Sequence, residues 1–284
     1  MRVFGIDFTS APRRGKPIAC ASAVLEADSL HVHCLAELES LEIFGNFLDS
    51  AGPWVAGLDF PFGQPRQLVE DLGWPTSWEH YVEQTERMGM QGFETMLQDY
   101  RDQRPVGQKH HHRRVDLKAG ARSPMMMYRV PVGRMFQRGA PLLKHAHVSV
   151  IPCRPSEDDR VVVEAYPALI ARRLIGRKSY KSDRKSDRAA ELLENRRELV
   201  ERLSAQALLE EFGLKIVLDR AIRESLIEEM DADALDSVLC ALQAAWAWTR
   251  RTEGWGVPQE SDPLEGWIVD PGLVSAADVA AVRH

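Results

Sequence analysis

Residues 1–10 read MRVFGIDFTS. Val3, Phe4 and Ile6 are branched and aromatic residues that suit a buried strand, and they run straight into Asp7 and the polar pair Thr9 and Ser10. A central strand of an α/β sheet that closes on an acid puts that acid where the sheet opens to solvent, the usual place for a site in such folds. Asp7 also has a plainer role open to it, as the start of a turn with Thr9 and Ser10.

The pattern recurs twice. Residues 54–58 form a second apolar strand that ends at Asp59 in the stretch GLDFPFG, where local hydrogen bonding of an aromatic-proline turn is the plainer reading. Residues 161–163, three valines, close on Glu164 and pass through Ala165, Tyr166 and Pro167 into a helix. Between the first two strands lie two more, at residues 18–25 and 30–38, joined by a short polar turn, so the chain opens as an antiparallel meander. Residues 41–48 have helical spacing.

Residues 64–153 fit the α/β rhythm least and read as an insertion laid across the mouth of the sheet. Residues 78–100 are helical in pattern; residues 109–114 read KHHHRR, and residues 125–127 are three packing methionines. Adjacent residues on an extended chain point in opposite directions, and no second Cys/His cluster matches, so His110, His111 and His112 make a poor metal site. A loop of Lys109, Arg113 and Arg114 facing an anion, or a solvated surface, fits better.

Residues 172–197 hold ten Lys or Arg against four acids. Lys178, Lys181 and Lys185 there suit a phosphate backbone, with Tyr180 available to stack a base; the alternative is the solvated face of an amphipathic helix that runs from Arg188 through Leu192, Leu199, Leu203 and Phe212 to Gly213. Residues 215–218 are a short apolar run, and Asp219 opens another helix. In DADALDSVLCALQAAW, residues 231–246, one apolar stripe packs on the sheet while Asp233 and Asp236 share a face. Here too a structural role competes, Asp233 as N-cap and Asp236 as its capping-box partner. The tail, with Trp255 and EGWI at residues 265–268, is open to reading as a lid or a packing arm.

The chain has 284 residues, 44% hydrophobic and 27% charged, enough for a sizeable core. A net charge of −6 argues against a wholly nucleic-acid-coated surface while leaving a local basic face open. The four cysteines are far apart, which disfavours a zinc site or disulfide framework and suits reduced thiols in a cytoplasm. No apolar run approaches the ~20 residues of a membrane span, and the stretch before Asp7 is too short for a signal peptide's apolar region, so none is expected. The expectation is a soluble cytoplasmic protein.

Asp7, Asp59, Glu164 and the pair Asp233 and Asp236 are thus expected to converge, and clustered carboxylates need a cation. Oxygen donors suit Mg²⁺ or Mn²⁺, which activate water and stabilise a leaving oxygen in phosphodiester hydrolysis.

The motifs GIDFTS, GLDFPFG, VVVEAYP, DADALDSVLCALQAA and EGWI together resemble a family of predicted nucleases with an RNase H-like fold, domain of unknown function 429; more distantly the chain is similar to Holliday-junction resolvases of that fold. The resemblance runs end to end and is weakest across the insertion. It implies one RNase H-like domain over residues 1–284 with a mixed five-stranded sheet, three strands antiparallel and two parallel, flanked by helices. It also implies a metal site of Asp7, Asp59, Asp233 and Asp236; Glu164 has no resolvase counterpart. The resulting expectation is a Mg²⁺- or Mn²⁺-dependent nuclease acting on RNA or DNA, with Asp7, Asp59, Asp236 and Glu164 as catalytic residues. A non-catalytic nucleotide or nucleic-acid binder on the same fold is the rival. GIDFTS also looks like the first phosphate loop of actin-like sugar kinases, but no second such loop follows. Substrate structure and dimerisation are left open.

Overall fold

The computed structural model describes residues 1–182, 188–204 and 206–274. Lys185, one of the expected substrate contacts, lies outside them.

The chain opens with β1 (Arg2–Asp7), β2 (Ile18–Glu26) and β3 (Ser29–Leu38), an antiparallel meander, followed by α1 (Leu41–Leu48) and β4 (Trp54–Leu58). Ser40 caps α1 by accepting from the Ile43 N–H. All five β4 residues are buried, as a strand covered on both faces must be. Then come α2 (Arg66–Asp71), α3 (Trp78–Asp102), α4 (Arg114–Ala119), α5 (Val132–His145), β5 (Ser149–Ile151) and β6 (Arg160–Glu164). The last part holds α6 (Pro167–Ile175), α7 (Ala189–Arg202), α8 (Gln206–Phe212), β7 (Lys215–Leu218), α9 (Arg220–Glu228) and α10 (Asp233–Thr249). The continuous helix expected from Arg188 to Gly213 is therefore two, α7 and α8.

One mixed sheet has the order β5-β6-β4-β1-β2-β3-β7, seven strands rather than five. The meander and the parallel strands β4 and β6 stand as expected. The additional strands are its two edges, β5 beside β6 and β7 beside β3, both parallel. Three and four residues are too short to show a periodicity, so only pairing makes them strands.

The insertion is not peripheral. Trp74, Trp78, Tyr81, Val82, Phe93, Leu97, Phe136 and Leu143 join Ile6, Trp54, Ala56 and Leu58 in one core with Phe44 and Leu48 of α1, so α3 and α5 help to cover one face of the sheet. The other face is covered by α10, whose Leu235, Val238, Leu239, Leu242 and Ala245 pack with Val3, Val55 and Val163.

That α10 lies directly on the strands depends on two glycines paired across β1 and β4, Gly5 and Gly57. A Cβ on Gly5 would stand 1.9 Å from the Ser237 carbonyl oxygen, and one on Gly57 2.3 Å from that of Cys240. Without side chains there, α10 rests at Ser237 and Ala241 against the strand two residues before Asp7, and this contact brings the preceding turn with Asp236 toward the sheet end.

Candidate functional site

β1, β4 and β6 are neighbours and parallel, so their C-terminal ends share one edge of the sheet. Asp7 ends β1 and Glu164 ends β6. Asp59 follows β4 directly, its N–H donating to the Ile6 carbonyl at 2.9 Å and so prolonging the ladder by one residue.

The α10 acids arrive from above, and neither caps the helix. Ala232 occupies the N-cap in a left-handed conformation, and the Glu229 carboxylate accepts the Ala234 N–H at 2.9 Å. Glu229, at the end of α9, thus does the capping that a sequence reading assigns to Asp233 and Asp236. Asp236 is 1% exposed; its Oδ1 accepts from the Tyr180 hydroxyl at 2.6 Å and its Oδ2 from the Lys181 ammonium.

Burial raises the Asp7 carboxyl well above its ordinary range, and the charges of Asp236, Asp59 and Asp233 raise it further, against the pull of Lys181. Burial, then Asp236, pushes Asp59 up to about 7. Asp233 is raised too, chiefly by burial. Hydrogen bonding with Asp7 pulls both Asp59 and Asp233 part of the way back. Burial disfavours the Lys181 charge, but Asp236 and Asp7 outweigh it and hold the ammonium protonated. The four aspartates therefore share one cation, the half-exposed Lys181, whose charge acts on each of them.

In kind, these oxygen donors fit Mg²⁺ or Mn²⁺. In arrangement, no three acidic, histidine or cysteine side chains among the described residues are set to hold one ion, and the ammonium of Lys181 lies on the oxygen that Asp236 would lend. Asp7, Asp59, Asp233 and Asp236 act on one another through their charges, but among the described residues they do not form a ligand set.

Glu164 is separate. Its Oε1 and Oε2 accept from Arg113 Nη2 at 2.6 Å and Nη1 at 2.7 Å, and Oε2 also accepts from the Phe62 N–H at 3.0 Å. Arg113 turns its remaining edge to Asp116, with Nη2 2.7 Å from Oδ1, and is 2% exposed. The expected roles of Glu164 in catalysis and Arg113 on substrate give way to a buried Asp116–Arg113–Glu164 ion triad, because a guanidinium with both carboxylates at hand has no donor to spare. Tyr180 is likewise buried and holds Asp236, so it cannot stack a base. Lys181 reaches the site, but as the counter-ion of Asp236.

The other expected contacts are tied elsewhere. Lys109 pairs with Asp102 at 3.7 Å, Arg114 with Glu260 at 3.5 Å and Lys178 with Glu198 at 2.5 Å. The three histidines diverge: His111 meets the Tyr100 hydroxyl at 2.7 Å while His110 is partly buried against Arg101. All four cysteines are free. No described helix is long and apolar enough to cross a membrane.

The tail is a packing arm. Glu265 accepts the Arg66 N–H with Oε1 at 2.9 Å and the Arg114 N–H with Oε2 at 3.0 Å, joining the starts of α2 and α4. The Val269 N–H donates to the Glu164 carbonyl at 2.9 Å.

Two cavities flank the aspartates. One of about 200 Å³ opens beside Asp59 between Pro61, Val130, Met135 and Tyr166 and is largely apolar. The other, about 440 Å³ and polar, lies beside Asp233 and is lined by Glu37, Glu229 and Asp231 as well as by Arg14 and Lys16. The basic turn that supplies Arg14 and Lys16 was visible in the sequence, but nothing local shows that it faces Asp233.

Fold and site together define a mixed α/β protein with an acidic centre at the C-terminal ends of its parallel strands. The chain belongs to the family described as protein of unknown function (DUF429), whose profile matches residues 5–261. No curated protein and no solved structure matches it.

Proposed function

We propose that the protein is a Mg²⁺- or Mn²⁺-dependent nuclease of RNase H-like architecture, acting on RNA or DNA in the cytoplasm. The observation that carries this reading is the crowding of Asp7, Asp59, Asp233 and Asp236 around a single ammonium at the open end of the sheet. Crowded carboxylates cost stability, and a site built at that expense is the usual mark of cation binding or catalysis. Asp7, Asp59 and Asp233 would hold the ion, joined by Asp236 if Lys181 moves its half-exposed chain outward. A divalent ion held there would supply Lewis acidity toward a phosphoryl oxygen and would lower the pKa of a coordinated water. Tyr180 keeps Asp236 oriented, and the Lys181 ammonium, once displaced, is left to meet a phosphoryl oxygen.

A second reading has its own support. Lys181 already seats on Asp236, and the described residues hold no arranged ligand set, which favours a protein that keeps the architecture and binds a nucleotide or nucleic acid without cutting it.

Asp236→Asn separates the two. If the reading holds, Mn²⁺ raises the melting temperature of the parent and much less that of the variant, because only an ion that binds the folded state stabilises it. Cleavage of RNA or DNA by the parent is then lost in the variant. Binding without cleavage of any strand, and equal Mn²⁺ shifts in both proteins, would establish the binder.

A further inference from the structure

The cavity beside Asp59 is unlike a metal or phosphate site. Pro61, Val130, Val132 and Met135 give it apolar walls, and Tyr166 forms a further side. The charged groups at its floor, Arg113, Asp116 and Glu164, are spent on one another. That leaves the Tyr166 phenol and the exposed Arg122 to meet a ligand. The Arg172 guanidinium stands 5.4 Å from the Tyr166 ring centroid and covers one face, so the ring is already held in place. Asp59 belongs both to this cavity and to the aspartate cluster. A molecule reacting at the aspartates therefore has its adjoining group at the cavity mouth.

Resting on the nuclease reading above, we infer that this cavity receives one unstacked nucleobase of the strand being cut, so the substrate is single-stranded or unpaired at that nucleotide. At about 200 Å³ the space falls below that of drug-sized ligand pockets, roughly 300–1,000 Å³, and suits one ring system. Apolar and aromatic walls accept the face of any base, which gives affinity with little sequence preference. A base stacked inside a duplex cannot enter; it must be extruded or already unpaired. The polar cavity beside Asp233 is no rival for the base: there Glu37, Glu229, Asp231 and Asp233 outnumber Arg14 and Lys16, and its walls are not aromatic.

The test is binding of a short labelled single-stranded oligonucleotide, with Ca²⁺ in place of Mg²⁺, read by fluorescence anisotropy. A series of probes carries one abasic site each, stepped along the strand. Loss of one stacked base should weaken binding about 5- to 150-fold at one position and leave the others near the parent value. Tyr166→Leu should abolish that position dependence. Val130→Asp, at an exposed rim residue where folding is not at stake, should do the same. An abasic series with uniform affinity, or a fully paired duplex bound as tightly as the single strand, overturns the base pocket while leaving the nuclease reading intact. If no oligonucleotide binds, while Mn²⁺-dependent hydrolysis of bis(p-nitrophenyl) phosphate persists, the nucleic-acid substrate fails and the base pocket with it.

Discussion

Replacing Arg113 by Met should be among the most damaging single changes in the protein. The guanidinium makes two hydrogen bonds to Glu164, at 2.6 and 2.7 Å, one to the Glu265 carbonyl at 2.9 Å, and bonds to Asp116 from Nη2 at 2.7 Å and from Nε at 3.1 and 3.2 Å. Methionine fills similar space but leaves Glu164 and Asp116, 2% and 1% exposed, without a counter-charge. Breaking a buried pair by removing one partner costs about 3–5 kcal/mol, against a total stability of about 5–15 kcal/mol. In urea, with a slope of about 3 kcal/mol/M for a chain of this size, the midpoint should fall by roughly 1–2 M with the slope unchanged. The loss should also depend on pH. Burial raises the Glu164 carboxyl and Arg113 pulls it back; without Arg113 the folded-state value rises further above the unfolded one. A carboxyl so raised contributes stability below its unfolded pKa and loses it as pH rises through the folded value, so the deficit should be smaller at pH 5 than at pH 8. Combining Arg113→Met with Glu164→Gln and Asp116→Asn should recover part of it. A loss under about 1 kcal/mol, equal at both pH values, would refute the triad as a structural unit.

Three further outcomes are expected. Asp59 is raised from 3.8 to about 7, so its contribution to stability is full below pH 4 and lost by pH 7; Asp59→Asn should therefore melt above the parent at pH 8, by up to roughly 4 kcal/mol, and near it at pH 4. Gly5→Ala forces a methyl to 1.9 Å from the Ser237 oxygen; because that atom is backbone, the cost should reach or exceed the roughly 1–3 kcal/mol of ordinary overpacking, and the Mn²⁺ shift in melting temperature should shrink with it. Glu265→Ala removes the acceptor shared by the Arg66 and Arg114 amides and should cost about 1.5–3 kcal/mol in chemical denaturation without touching the aspartates.

What the sequence determined by itself is local. Three apolar runs that each close on an acid, a meander joined by a short turn, and a helix with two acids three residues apart are all properties of neighbouring residues, because strand and helix periodicities repeat within a few positions. They were enough to place Asp7, Asp59 and Glu164 at one edge of a mixed sheet and to bring Asp233 and Asp236 toward it.

Tertiary structure decided which acids belong together and what each is bound to. Glu164 has the same strand-end pattern as Asp7 and Asp59, yet Arg113, 51 residues away, pairs with it, so that it reaches Asp59 only through its charge. Lys181 and Tyr180 look in sequence like part of a basic surface; a contact across 55 and 56 residues makes them the partners of Asp236. Glu229, not an α10 acid, caps α10, and the edge strands β5 and β7 exist only through their neighbours. The physical reason is common to all of these. Charge pairing, desolvation and strand pairing act through space between distant segments, and a sequence window shows a residue's chemistry without showing which distant group satisfies it.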